Sequence, residues 1–174
     1  MTTFFIGDTH FGHQKILEFE SKSRGFTTIE EHDEYLIRQW NSVASKRDII
    51  FHLGDVIFSG SQTFKSTLGR LNGIKKLVAG NHDSKRIHQL APYFTNIVGV
   101  GKFEGYSLTH IPIHPSQFYR FKGNIHGHLH SDIITKKSLG GLYTIPDKRY
   151  WNVSAEQINL TPISWEQLQV KYKE

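Results

Sequence analysis

The chain contains no cysteine. That excludes disulfides, zinc ribbons, iron–sulfur clusters and thiol catalysis, and leaves oxygen and nitrogen as the ligands of any metal site. No apolar run approaches the roughly 20 residues that span a bilayer, and the N-terminus lacks the basic region and long apolar segment of a signal peptide. A soluble, cytoplasmic protein with no membrane partner is expected. Internal repeats, low-complexity segments and compositional breaks are absent too. At 174 residues the expectation is therefore one domain spanning 1–174, large enough to bury a real core.

Acidic residues are outnumbered, 16 against 21 Lys and Arg, for a formal charge of +5 and a pI of about 9.4. The balance suits an anionic substrate or partner. The basic residues, however, come in scattered pairs such as Lys46–Arg47, Lys75–Lys76, Lys85–Arg86 and Lys136–Lys137, as a solvated surface would have them. Eleven histidines are the more unusual feature, and their placement carries the functional reading.

Two helices are legible. From Thr28 to Ala44, the residues Ile29, Leu36, Trp40 and Val43 fall near one helical face, and Thr28 with Glu31 forms a capping box. From Ser164 the device recurs, with Gln167 three residues on and Trp165, Leu168 and Tyr172 as the apolar stripe. Strands are expected at Phe4–Ile6, Ile49–Leu53, Lys76–Ala79, Tyr106–Thr109, Gly123–His126 and Tyr150–Val153, with a hairpin across Asn96–Phe103. The fold class is mixed α/β.

Five of these strands run straight into polar clusters: Gly7–Asp8 with His10, Gly54–Asp55, Gly80–Asn81–His82–Asp83, His110, and Gly127–His128–Leu129–His130. Ligands gather outside the carboxyl ends of strands in open α/β sheets, so five such loops can converge on one crevice. Glycine ahead of the polar residue permits a sharp turn or a close backbone approach. Singly, each cluster reads as a turn or a structural histidine; the blander interpretation of all five requires five coincidences of residue type, position and order.

The ordered set Asp-x-His, Gly-Asp, Gly-Asn-His-Asp, a lone His and Gly-His-x-His, spanning Asp8 to His130, resembles the calcineurin-like metallophosphoesterase superfamily, in its small stand-alone bacterial and phage form. The resemblance implies an αββα sandwich, two mixed β-sheets face to face and flanked by helices, with a dinuclear site at one edge. Carried over residue by residue, it assigns one divalent metal ion to Asp8, His10, Asp55 and His130. A second goes to Asp55, Asn81, His110 and His128, with Asp55 as the bridge. Mn²⁺ is the first expectation for the ions, and Fe, Ni²⁺ or Zn²⁺ also suit thiolate-free ligation. His82 corresponds to the histidine that contacts the phosphate and assists the leaving group, with Asp83 as a candidate to orient it.

Beside these, Asn81 and His82 are expected to touch substrate, and His13 can reach the same side. His52, His114 and His126 are candidates to hydrogen-bond ligands from behind, while His32 and His88 look unremarkable. The ester is left open by the resemblance. A phosphodiesterase for cyclic nucleotides or other small nucleotide diesters is the first expectation, because so compact a chain has no room for a large recognition domain. Alternatives are a DNA or RNA nuclease, a phosphomonoesterase or protein phosphatase, and a non-catalytic interaction module on the same fold. Against the protein phosphatase, Gly54–Asp55 continues as Val56–Ile57–Phe58, without the arginine of that version. Against the interaction module, no ligand position is eroded, and no obligate protein partner is evident. In Phe118–Tyr119–Arg120–Phe121–Lys122 aromatic and basic residues interleave, so Tyr119 and Arg120 are candidates to recognise a nucleotide, with Phe118 and Phe121 packing on the sheet.

Overall fold

A computed structural model of the chain describes residues 1–58 and 60–173, and the side chains of all of these except residues 61–63 and 173. Eleven strands occur among them: β1 Thr3–Ile6, β2 Ile49–His52, β3 Ile74–Val78, β4 Asn96–Val98, β5 Gly101–Phe103, β6 Tyr106–Thr109, β7 Asn124–His126, β8 Thr135–Lys137, β9 Thr144–Pro146, β10 Tyr150–Asn152 and β11 Ile163–Ser164. The α-helices are α1 Ile16–Phe19, α2 Ile29–Val43, α3 Ser61–Thr67, α4 Ile87–Leu90 and α5 Trp165–Lys173. A five-stranded sheet, in the order β11-β1-β2-β3-β4, faces a four-stranded sheet, β10-β7-β6-β5. Both are mixed, since β11 and β5 run antiparallel to otherwise parallel neighbours.

The alternation of strand side chains builds two cores. Phe4 and Ile6 of β1 point to one side, where with Ile50 and Leu77 they meet Leu36, Ile37 and Trp40 of α2. Phe5 points the other way, into the layer between the sheets with Val78, Leu108, Ile125 and Trp151. The last helix, α5, places Leu168 in that inter-sheet layer and stacks Tyr172 on Trp151. Both expected caps form. The Glu31 N–H donates to Thr28 Oγ1 at 3.2 Å; the Gln167 N–H donates to Ser164 Oγ at 3.2 Å while Gln167 Oε1 accepts from the Ser164 N–H. Such caps are worth about 1 kcal/mol each.

Two expectations need correction. The segment Asn96–Phe103 is not a hairpin: β4 lies parallel to β3 in one sheet and β5 antiparallel to β6 in the other. The chain crosses between the sheets at Gly99–Val100, and alternation announces a strand without naming its partner. Val43 leaves the buried face of α2, at 39% exposure, and His32, fully buried, takes a place on it. No described helix is long and apolar enough to cross a membrane.

Candidate metal centre

Parallel pairing of β1 with β2, of β2 with β3 and of β6 with β7 sends all five polar loops to one edge of the sandwich. The sheets are stitched together there, by the Gly7 N–H donating to Val153 O at 2.8 Å and the Ala155 N–H to Gly7 O at 3.0 Å. Of eight non-glycine residues with left-handed backbone among those described, five are Asp8, His10, Asp55, His128 and His130, with φ between 48° and 72°. Such conformations cost about 1–3 kcal/mol each and persist where the surroundings over-determine them. Here the Asp8 N–H donates to Gly54 O at 2.9 Å and the His10 N–H to Asp55 O at 3.1 Å, locking two loops together.

Glycine makes this packing possible. A Cβ on Gly54, whose φ is +90°, would lie 2.6 Å from His110 Nδ1, and one on Gly80 would lie 2.2 Å from Asp55 Oδ1. Neither clash can be relieved without moving a loop that carries a candidate ligand.

The side chains gather into two groups, Asp8, His10 and His130, and Asp55, His110 and His128. Asp55 Oδ2 sits between them, 3.8 Å from His10 Nε2 and 3.4 Å from His110 Nε2. Asn81 Oδ1 lies 3.0 Å from His110 Nε2. His110 donates its Nδ1–H to Leu53 O at 2.7 Å, so in the neutral ring the lone pair is on Nε2, facing the cluster. Asp8 Oδ2 accepts from the His128 N–H at 2.8 Å, while Asp8 Oδ1 and His10 Nε2 are buried with no hydrogen-bond partner. A buried carboxylate oxygen and a buried ring nitrogen, both without partners and 3.9 Å apart, are what a cation would satisfy.

Electrostatics reflect the crowding. Burial raises the Asp8 carboxyl to about 6, against the pull of His110 and His130. Burial likewise drives His10 well below the usual histidine value, helped by Arg24 and His130. Burial works against protonation of His110 too, but Asp55 and Asp8 outweigh it and lift that pKa to about 9.

His82 stands at the mouth of the site with its side chain 55% exposed, Nε2 lying 4.0 Å from Asp55 Oδ2; its N–H donates to Asp55 Oδ1 at 3.1 Å. Asp83 does not orient that ring. Its buried carboxylate accepts instead from three backbone N–H groups, of Asp55 at 2.8 Å, Val56 at 3.0 Å and Gly80 at 2.8 Å. It clamps the Gly54–Asp55 loop to the Gly80–Asn81 loop. His13 lies beside the cluster, its Nδ1 3.0 Å from His10 Nδ1, and both rings stack on Phe58, with centroids 4.3 and 4.5 Å away.

Tyr119 and Arg120 are not brought to the cluster. From His110 the chain descends the outer face of the four-stranded sheet: Ile113 bonds Asn124 and Tyr150, Phe118 packs on Tyr150 and Arg149, and the Lys122 N–H donates to Gly105 O. Those partners stand at the starts of β6, β7 and β10, a strand length of about 10 Å from the strand ends that carry the site. Tyr119 is 81% exposed there. The flanking histidines contact no candidate ligand side chain through a hydrogen bond either: His52 Nε2 meets Thr9 Oγ1, His114 Nδ1 meets Ser116, and His126 Nδ1 donates to Gly127 O. Sequence reasoning missed Phe58, Arg24 and Glu156, and passed over His32. Arg24 is fully buried, although Ser21–Gly25 reads as surface. For Glu156 the only signal was β10, a further strand that ends at Asn152 and is followed by the polar residues Ser154 and Glu156.

Comparison with known proteins gives a family and several relatives. The family model described as calcineurin-like phosphoesterase matches residues 1–168. An uncharacterized protein of Methanocaldococcus jannaschii is 34% identical over 166 residues, covering 92% of this chain and 85% of that protein. The gene 66 protein of Mycobacterium phage L5 is 34% identical over 84 residues, 47% of this chain and 39% of its own. Among solved structures, a protein of unknown function from Aquifex aeolicus aligns over 98% of both chains with a TM-score of 0.74 and 25% identity.

Proposed function

For a chain that belongs to the calcineurin-like phosphoesterase family, a phosphoesterase hydrolase with candidate metal-ligand groups, we propose that it is a phosphodiesterase acting on cyclic nucleotides or small nucleotide diesters. Asp8, His10, Asp55 and His130 would hold one divalent cation, and Asp55, Asn81, His110 and His128 the other, with Mn²⁺ the first choice of ion. When bound, such a pair supplies positive charge to the phosphoryl oxygens and lowers the pKa of an attacking water. Two carboxylates among neutral imidazoles and one amide leave net positive charge facing an anionic ester.

His82 would do the acid chemistry. Its ring is exposed at the rim, tethered through its own backbone to Asp55, and a protonated imidazole there can stabilise or protonate the departing oxygen. His13 and Asn81 line the same rim. The observation that supports a small organic ester is an opening of about 430 Å³ beside Asn81 and His110, walled by Val100, Ile111 and Pro112. Val100 and Ile111 are 64% and 53% exposed, an apolar surface against which a base or sugar can lie. This support replaces that of Tyr119 and Arg120.

The test is a hydrolysis screen of the Mn²⁺-loaded protein across cyclic nucleotides, linear dinucleotides, aryl monoesters and diesters, and DNA and RNA. Val100→Asp and Ile111→Asp should each raise KM for the nucleotide diester while sparing an aryl phosphodiester far less dependent on the wall. Turnover confined to monoesters, or to polymeric nucleic acid, would overturn the small-diester reading.

A further inference from the structure

Glu156 lies on the turn after β10, outside the ordered set of motifs, yet it occupies the floor of the site. Its side chain is 1% exposed, and its Oε1 accepts from His130 Nδ1 at 2.9 Å and from Arg24 Nε at 2.7 Å. Arg24, its side chain wholly buried, also donates to the carbonyls of Asp8 and Thr9. The network continues from Arg24 to His32 at 3.0 Å, from His32 to Asp33 at 2.9 Å, and from Asp33 to the Gly12 N–H at 2.8 Å. On the other side, Asn152 Nδ2 and Gln157 Nε2 both donate to His130 O at 3.1 Å. The first and last ligand loops, 120 residues apart, are thus tied to one buried ion pair.

The chemistry of the pair dictates a tautomer. A guanidinium keeps its proton in proteins, and the carboxylate bonded to it accepts only. His130 must therefore donate from Nδ1, which leaves the Nε2 lone pair of the neutral ring for a cation, the arrangement found when a metal-bound histidine is backed by a carboxylate. Burying an ion pair is a poor route to stability, and an uncompensated guanidinium behind a cation site would repel the ion. Glu156 cancels that charge and uses the same oxygen to hold His130.

Resting on the metal-centre reading above, we infer that Glu156 is a positioning residue for the cation held by Asp8, His10 and His130. It sets the tautomer and ring direction of His130, with Arg24 anchoring it to the Asp8–Thr9 backbone. The experiment is calorimetric titration of the full chain with Mn²⁺, wild type against Glu156→Gln. The wild type should bind two ions, and the variant should bind one of them about 10–100-fold more weakly, the other being unchanged. Because the variant removes the charge that faces Arg24 and can fail to fold, a second measurement uses the wild type alone. In the Zn²⁺-loaded protein, long-range ¹H–¹⁵N NMR should show the His130 ring protonated at Nδ1 and coordinating through Nε2. Equal affinities in wild type and variant, coordination through Nδ1, or a third ion bound through Glu156 would overturn the inference while leaving the dinuclear centre intact. A wild type that binds no ion would overturn both.

Discussion

Asp83→Asn is the substitution that best separates scaffold from chemistry. The carboxylate bonds the N–H groups of Asp55 and Gly80 through Oδ2 and that of Val56 through Oδ1, and is 1% exposed. The best placement of an asparagine puts its carbonyl where Oδ2 was, keeping two bonds, and turns its NH₂ toward the Val56 N–H. One hydrogen bond to a charged group is lost, about 1.5–3 kcal/mol, and a buried donor is left unsatisfied, about 1–3 kcal/mol more. A total of roughly 3–5 kcal/mol follows, which at 2–4 °C per kcal/mol for a chain of this size is on the order of 10 °C in Tm. Urea unfolding of the metal-free proteins measures the first figure and calorimetry the second. Asp55 keeps its left-handed backbone only while its loop is clamped, so Mn²⁺ affinity should fall as well. An Asp83→Asn protein that unfolds at the wild-type urea midpoint would refute the clamp.

Asp55→Asn should weaken both metal sites and nearly abolish hydrolysis in a folded protein; unchanged metal content and activity, measured together, would contradict its bridging place. His82→Ala should keep near-normal metal occupancy and lose turnover most for esters with poor leaving groups, since an activated aryl leaving group needs little acid help; a uniform loss would point to phosphate positioning instead. His52 is fully buried, and burial pushes its pKa down to about 3, with His110 adding to the effect. It must fold neutral, so its contribution is present above the unfolded value near 6.5 and is lost as pH falls from there toward 3, with a slope of about 1.4 kcal/mol per pH unit. Because His52 donates from Nε2 to Thr9 Oγ1, whose own hydroxyl donates to Val56 O, His52→Gln can keep the bond. Urea unfolding from pH 6.5 to 4.5 should show a shallower loss in that variant, and identical slopes would assign the acid sensitivity elsewhere.

Much of the centre is readable in the chain because its chemistry is local to strand ends. A strand of Phe4–Phe5–Ile6 that stops at Gly7–Asp8, and four more like it, announce both where the backbone turns and which atoms arrive there. The glycines at 54 and 80 carry their reason in the structure, as contacts no Cβ could survive. The capping pairs Thr28–Glu31 and Ser164–Gln167 were legible for the same reason, being interactions between residues three apart.

What the chain does not spell out is everything set by meetings between distant segments. Whether β4 pairs with β5 or with β3 depends on which sheet offers an open edge, so Asn96–Phe103 divides between two sheets. Tyr119 and Arg120 share a connection with His110 and Gly127, but the connection spans the height of a sheet, and its middle lies at the far end. Arg24 and Glu156 look like ordinary surface charges in sequence. They became interior only when β10 delivered Glu156 beneath His130 and the Ser21–Gly25 turn delivered Arg24 beneath Asp8. Motif spacing determined which groups could bind a metal; three-dimensional packing decided which buried charges hold those groups in place, because a charge is buried only where its partner already waits.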